Sequence, residues 1–203
     1  MNEPVIQKIK LLTVEEFFAI YGDNDERYEL IDGIAYMMSA PGTEHQSLSM
    51  FLSIEIGNFL KGKKCKVFAA PYDVFLEESL RDENGNLIKN KRTKGTVVQP
   101  DIMVICDKDK IKKDGCHGAP DFIIEIVSES SKEKDRHLKA RKYFKSGVKE
   151  YWVVDPEEEL VYAYKFDIEK KKSEGEIFTF DDKIKINALD GLEINFAEFE
   201  YDL

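Results

Sequence analysis

The chain has 203 residues and a mass of 23.4 kDa, with 42% hydrophobic and 34% charged side chains; these proportions exclude a fibrous or disordered polymer and suffice for one buried core. No run reaches the roughly 18 apolar residues of a membrane span, and the opening MNEPVIQKIK lacks the apolar stretch of a secretory signal, so a cytoplasmic protein with no membrane partner is expected. The net charge of −10 speaks against a polyanionic partner, yet residues 1–60 hold 3 basic and 10 acidic side chains, residues 155–203 hold 6 and 15, and residues 61–154 hold 21 and 15.

In chain order, Thr13 with Glu16 three residues on reads as a capping box, opening a short helix that stops at Gly22. RYELIDGIAYMM places Asp32-Gly33 between apolar runs, a two-residue hairpin signal. From about Thr43 to Lys61 the apolar residues fall at largely helical spacing. KVFAAPYDVFLE reads as one strand and RDENGNLIKNKRTKG as a polar loop or β-excursion. VVQPDIMVIC and APDFIIEIVSESS are short buried strands; Ser130 with Glu133 then caps a helix ending at Gly147. EYWVVDP is a further buried strand, followed by alternating β segments. One continuous domain over residues 1–203 is expected, an α/β fold with a mixed sheet flanked by helices. Three cysteines without C-x-x-C spacing suggest neither a disulfide framework nor a zinc cluster; Cys106 reads as a reduced thiol at a strand end, with Cys116-His117 in a polar loop.

Two buried strands each carry a carboxylate, Asp101 and Glu125. A carboxylate in a core strand must be paired, hydrogen-bonded or metal-bound, since burying it alone costs several kcal/mol or more. On adjacent strands the two would meet where the strands diverge and suit a divalent cation with oxygen ligands; the plainer alternative is two strand-end residues with local salt bridges. Asp121 reads as a structural turn residue. The helix that follows carries seven Lys or Arg against two acids between Lys132 and Lys145, with Asp135, Lys139 and Tyr143 at i, i+4, i+8 on one stripe. Such a face would suit a phosphate backbone, although solvated lysines would give the same pattern.

YELIDG (Tyr28 to Gly33), His45-Gln46, QPDIMVIC, GAPDFIIEIVSESS, the Asp135/Lys139/Tyr143/Gly147 series and EYWVVDP together resemble the Uma family of restriction-endonuclease-like proteins, within the PD-(D/E)XK nuclease superfamily, over roughly residues 11–165. The resemblance implies a restriction-endonuclease-like core with a β-rich extension over about 166–203. It also implies Mg²⁺, with Mn²⁺ as substitute, held by Asp101, Glu125 and the carbonyl of Ile126. The lysine expected two residues after the second acid is absent, Val127 standing there, and Lys139 is the implied replacement. Glu29 is placed near the metal; His45 matches a landmark whose role is catalytic or structural. DNA is the implied partner, and a homodimer would suit double-strand cleavage.

Three functions compete on these residues. The first is a Mg²⁺-dependent endonuclease acting on DNA phosphodiesters. The second is a nuclease-like fold that binds nucleic acid or protein without cutting, suggested by the missing lysine and the acidic ends. The third is an acid/base hydrolase of the glycosidase kind, which lacks an aromatic row for a sugar cleft.

Overall fold

The computed structural model describes residues 10–76 and 95–200. Nearly all of the expected loop at 81–95 lies outside the described residues. Thr13 Oγ1 accepts the Glu16 N–H while the Glu16 carboxylate accepts the Thr13 N–H, and the capping box so closed starts α1 (Val14–Tyr21). Gly22 ends α1 in right-handed backbone, φ −64°, without the left-handed turn that glycine usually supplies. Asp32 (φ 52°) and Gly33 (φ 80°) form the tight turn between β1 (Tyr28–Ile31) and β2 (Ile34–Met37), which pair from Tyr28↔Met37 to Ile31↔Ile34. Helix α2 (Thr43–Leu60) buries Leu48, Leu52, Ile56 and Leu60, one per turn.

The segment expected as a single strand breaks into β3 (Lys66–Ala69) and β4 (Val74–Leu76). Pro71 between them has no N–H to give a ladder, and the two pieces enter different sheets. After β5 (Thr96–Val98) and β6 (Ile102–Ile105), a small hairpin, β7 (Ile111–Lys112) and β8 (Gly115–His117), precedes β9 (Phe122–Ile126). A π-helical turn (Lys134–Lys139) leads into α3 (Ala140–Ser146), which Gly147 closes with φ 97°. The expected Ser130–Glu133 capping box does not form: Ser130 Oγ lies 3.1 Å from Ser128 Oγ, and Ser131 accepts the Asp135 N–H on its carbonyl. The chain closes with β10 (Glu150–Asp155), β11 (Leu160–Asp167), β12 (Lys172–Thr179) and the hairpin of β13 (Lys183–Ile186) and β14 (Leu192–Asn195).

One six-stranded sheet has the order β12-β11-β10-β9-β6-β3, with β9 and β10 parallel and the other pairs antiparallel; the other runs β2-β1-β5-β4-β8-β7. Side chains alternate across the first sheet. Ile102, Val104, Ile124, Ile126, Trp152 and Val154 meet α2 and the β13–β14 hairpin, while Met103, Ile105, Ile123, Tyr151 and Val153 meet α3 and the second sheet. The result is a mixed α/β architecture with a β-rich extension. The final strands extend the sheet through β12 and cover its α2 face through the hairpin.

The cysteine reading is corrected. Cys65 and Cys106 form a disulfide, because Cys65 precedes and Cys106 follows the antiparallel Lys66↔Ile105 pair of β3 and β6, so that they stand side by side across two strands. Cys116 is a buried thiol on β8, which burial pushes up to about 11. His117 pairs with Asp114 at 3.1 Å. Asp121 is structural, its carboxylate taking the Cys106 N–H at 2.7 Å and the Lys149 ammonium at 2.6 Å.

Glu150, 1% exposed, ties β10 to the tail by accepting from Trp152 Nε1 (2.9 Å) and the Ala188 N–H (2.7 Å). Burial raises its carboxyl above the usual 4.5 despite these donors. A raised carboxyl contributes its stability below the unfolded value and loses it as pH rises through the folded one. Relative to Glu150→Gln, the parent should therefore lose stability as pH climbs above about 4.5 and level off once the folded carboxyl ionises, measured by urea midpoints across that range.

Candidate active site

Because β6 and β9 pair as Ile102↔Ile124, extending the register by one residue sets Asp101 opposite Glu125. The chain thus brings the two sequence-predicted carboxylates to one end of adjacent strands. Glu125 falls on the α3 face with Ile123, and there it meets the helix stripe: Lys139 Nζ donates to Glu125 Oε1 at 2.9 Å and Tyr143 Oη donates to the same oxygen at 2.6 Å. Asp101 Oδ2 accepts the Ile126 N–H at 2.8 Å and stands 3.2 Å from His45 Nε2 on α2. Both carboxylates therefore have one oxygen fixed by protein donors, and the hydrogen bonds among the described residues leave the second oxygen of each for another partner.

Lys139 is 2% exposed and lies at the centre. Its ammonium is 2.7 Å from Glu29 Oε1, 2.9 Å from Glu125 Oε1 and 3.3 Å from Asp135 Oδ1, the last an ion pair without hydrogen-bond alignment. Burial favours the neutral amine, but the carboxylates of Glu125, Glu29 and Asp135 outweigh it and hold the ammonium well above its usual 10.5. Burial and the neighbouring carboxylates lift Glu125 well above the carboxylate range in spite of Lys139. Burial acts the same way on Glu29, but the charges of Lys139 and Lys134, the latter at 3.4 Å, keep it lowered. Burial and the Glu125 charge push the Tyr143 phenol well up. His45 is raised, because the hydrogen bond and charge of Asp101 overcome its burial.

A cleft of about 680 Å³ opens onto part of this cluster, its walls including Arg27, His45, Asp101, Glu125, Ile126 and Lys139, while Glu29 and Tyr143 lie behind them. No three His, Cys, Asp or Glu side chains among the described residues are gathered as a ready metal cage. The donor set nevertheless fits Mg²⁺ or Mn²⁺, which accept few protein ligands and keep several waters. Two carboxylates each present an unengaged oxygen, and the Ile126 carbonyl shares the side of β9 on which its N–H meets Asp101.

Three contributors escaped the sequence reading. Gln99 donates its backbone N–H to Glu29 Oε1 at 3.0 Å, and its side chain accepts from Arg27 Nε and donates to Asp73 Oδ1, both at 2.8 Å. Lys134 is the second cation on Glu29. Gln99 sits immediately before the Pro-Asp pair, a position that marks it for attention, whereas Arg27 carries no local signal.

The family model Uma2, described as "Putative restriction endonuclease", matches residues 14–197. No curated protein matches the chain. Among solved structures, a protein from Anabaena variabilis described as a "putative nuclease belonging to DUF820" superposes with a TM-score of 0.71, covering 93% of this chain and 97% of that one at 18% identity; this likeness shows the fold alone.

Removing the buried cation tests the arrangement. Lys139→Met leaves Glu29, Glu125 and Asp135 facing one another, and should cost about 3–5 kcal/mol at pH 7. Without the ammonium, burial lifts Glu125 further and is opposed at Glu29 only by Lys134; a raised carboxyl loses stability as pH climbs above about 4.5, so the deficit should widen between roughly pH 4 and 7. Chemical denaturation at both pH values checks this; a deficit independent of pH would contradict it.

Proposed function

The chain belongs to the Uma2 family, and from that membership we propose that it is a metal-dependent endonuclease hydrolysing phosphodiester bonds of DNA. The observation that carries the proposal is the half-engaged carboxylate pair: Asp101 and Glu125 side by side, each with one oxygen pinned and one left over, beside a buried lysine. Asp101, Glu125 and the Ile126 carbonyl would hold Mg²⁺ or Mn²⁺. When bound, the metal would lower the pKa of a water and stabilise phosphate charge.

The remaining residues have roles that follow from their protonation. Lys139, held charged by the carboxylates of Glu125, Glu29 and Asp135, supplies positive charge and fixes the orientation of Glu125 and Glu29. Tyr143 holds the same oxygen of Glu125 from the next helical turn, so the carboxylate cannot rotate without losing two donors. His45 positions Asp101. That Lys139 comes from the helix while Val127 occupies the strand position is no obstacle, since an ammonium acts from wherever it reaches. A homodimer would suit cutting both strands.

Calorimetric titration of Mn²⁺ should show binding to the parent and none to Glu125→Gln. Nicking of supercoiled plasmid in Mg²⁺ should fall by at least about a hundredfold in the variant. Equal cleavage by both proteins would remove Glu125 from the chemistry. Salt-sensitive DNA binding without cleavage, indifferent to the metal, would favour the non-cutting binding module.

A further inference from the structure

Arg27 lies just before β1 and lines the cleft beside the carboxylate pair. Its Nε is fixed by Gln99 Oε1 at 2.8 Å, and Gln99 is itself braced by Asp73 and by Glu29. Its Nη2, by contrast, is buried with no hydrogen-bond partner. The other lysines of the lining are taken: Lys139 by three carboxylates and Lys134 by Glu29. Among the described residues Arg27 is the cleft's one Lys or Arg that makes no ion pair. A guanidinium nitrogen held buried without an acceptor costs free energy unless one completes it, and a phosphate oxygen is an acceptor suited to a guanidinium.

We propose that Arg27 is a phosphate-binding residue of the substrate groove, clamping a backbone phosphate of the nucleic acid next to the carboxylate pair. This inference rests on the nuclease reading and adds to it the group that holds the strand in register. Gln99 is then a positioning residue, joining the phosphate clamp to Glu29 through one backbone N–H and one amide. The contact is with phosphate alone, so it weakens all sequences alike.

The test measures binding, with Ca²⁺ in place of Mg²⁺, of a fluorescein-labelled duplex oligonucleotide to the parent, Arg27→Gln and Arg27→Lys across a salt series. Arg27→Gln should bind roughly ten- to a hundredfold more weakly, with a slope of log affinity against log salt smaller by about 0.9. Arg27→Lys keeps the charge and should keep the parental slope. If Arg27→Gln does not fold, Arg27→Gln with Asp73→Asn, compared with Asp73→Asn alone, removes the carboxylate left behind and carries the same prediction. A parental slope in the Gln variant, or in the double variant, overturns the clamp while leaving the nuclease reading intact. A parent that binds no duplex overturns both.

Discussion

The Lys139 ammonium is the interaction on which the rest of the structure depends. It touches Glu29 of one sheet, Glu125 of the other and Asp135 of its own helical segment, so one buried charge joins the three layers of the fold. A buried charge of this kind is tolerable only when its partners are present, and each partner is tolerable only because of it. Stability and the shape of the site are therefore set by the same contacts.

This coupling explains why hydrophobic packing stops where it does. Along β9 the residues on the α3 face run Ile123, Glu125, Val127, and only the middle one is ionisable. The apolar neighbours lower the local dielectric, which raises Glu125 and makes every charge near it count for more. On the opposite face Trp152, Phe122 and α2 form a largely apolar layer, with Glu150 at its edge, giving the strands a backing from which Asp101 and Glu125 project. The site is thus a polar inclusion supported from behind by a dry core.

Much of this was legible in the sequence, for local reasons. The Asp32-Gly33 hairpin and the Thr13–Glu16 cap depend on residues a few positions apart, and both form as expected. Asp101 and Glu125 stood out because buried carboxylates need partners, and both readings the sequence left open meet here: their strands adjoin, and each acid also holds a local ion pair. What failed was long-range or additive. Cys65 and Cys106, 41 residues apart, are matched by strand register that no spacing rule encodes. Arg27, Gln99 and Asp73 come from three segments of the chain, and each alone resembles an ordinary polar residue. Glu29 was reached through family resemblance, since nothing within YELIDG shows that its partner lies more than a hundred residues away.

The π-helical turn places a limit on how this sequence can vary. Within Lys134–Lys139 the ladder closes one residue late, the Ala140 N–H reaching the Asp135 carbonyl, which also takes the Tyr151 hydroxyl at 3.0 Å. The helix on either side is consequently out of phase. Lys132 and Arg136 face Asp155 and Glu158, while Tyr143 faces Glu125. The residue that the late closure takes up lets one continuous segment serve both the outer ion network and the inner site, so a change of length here acts on the two together.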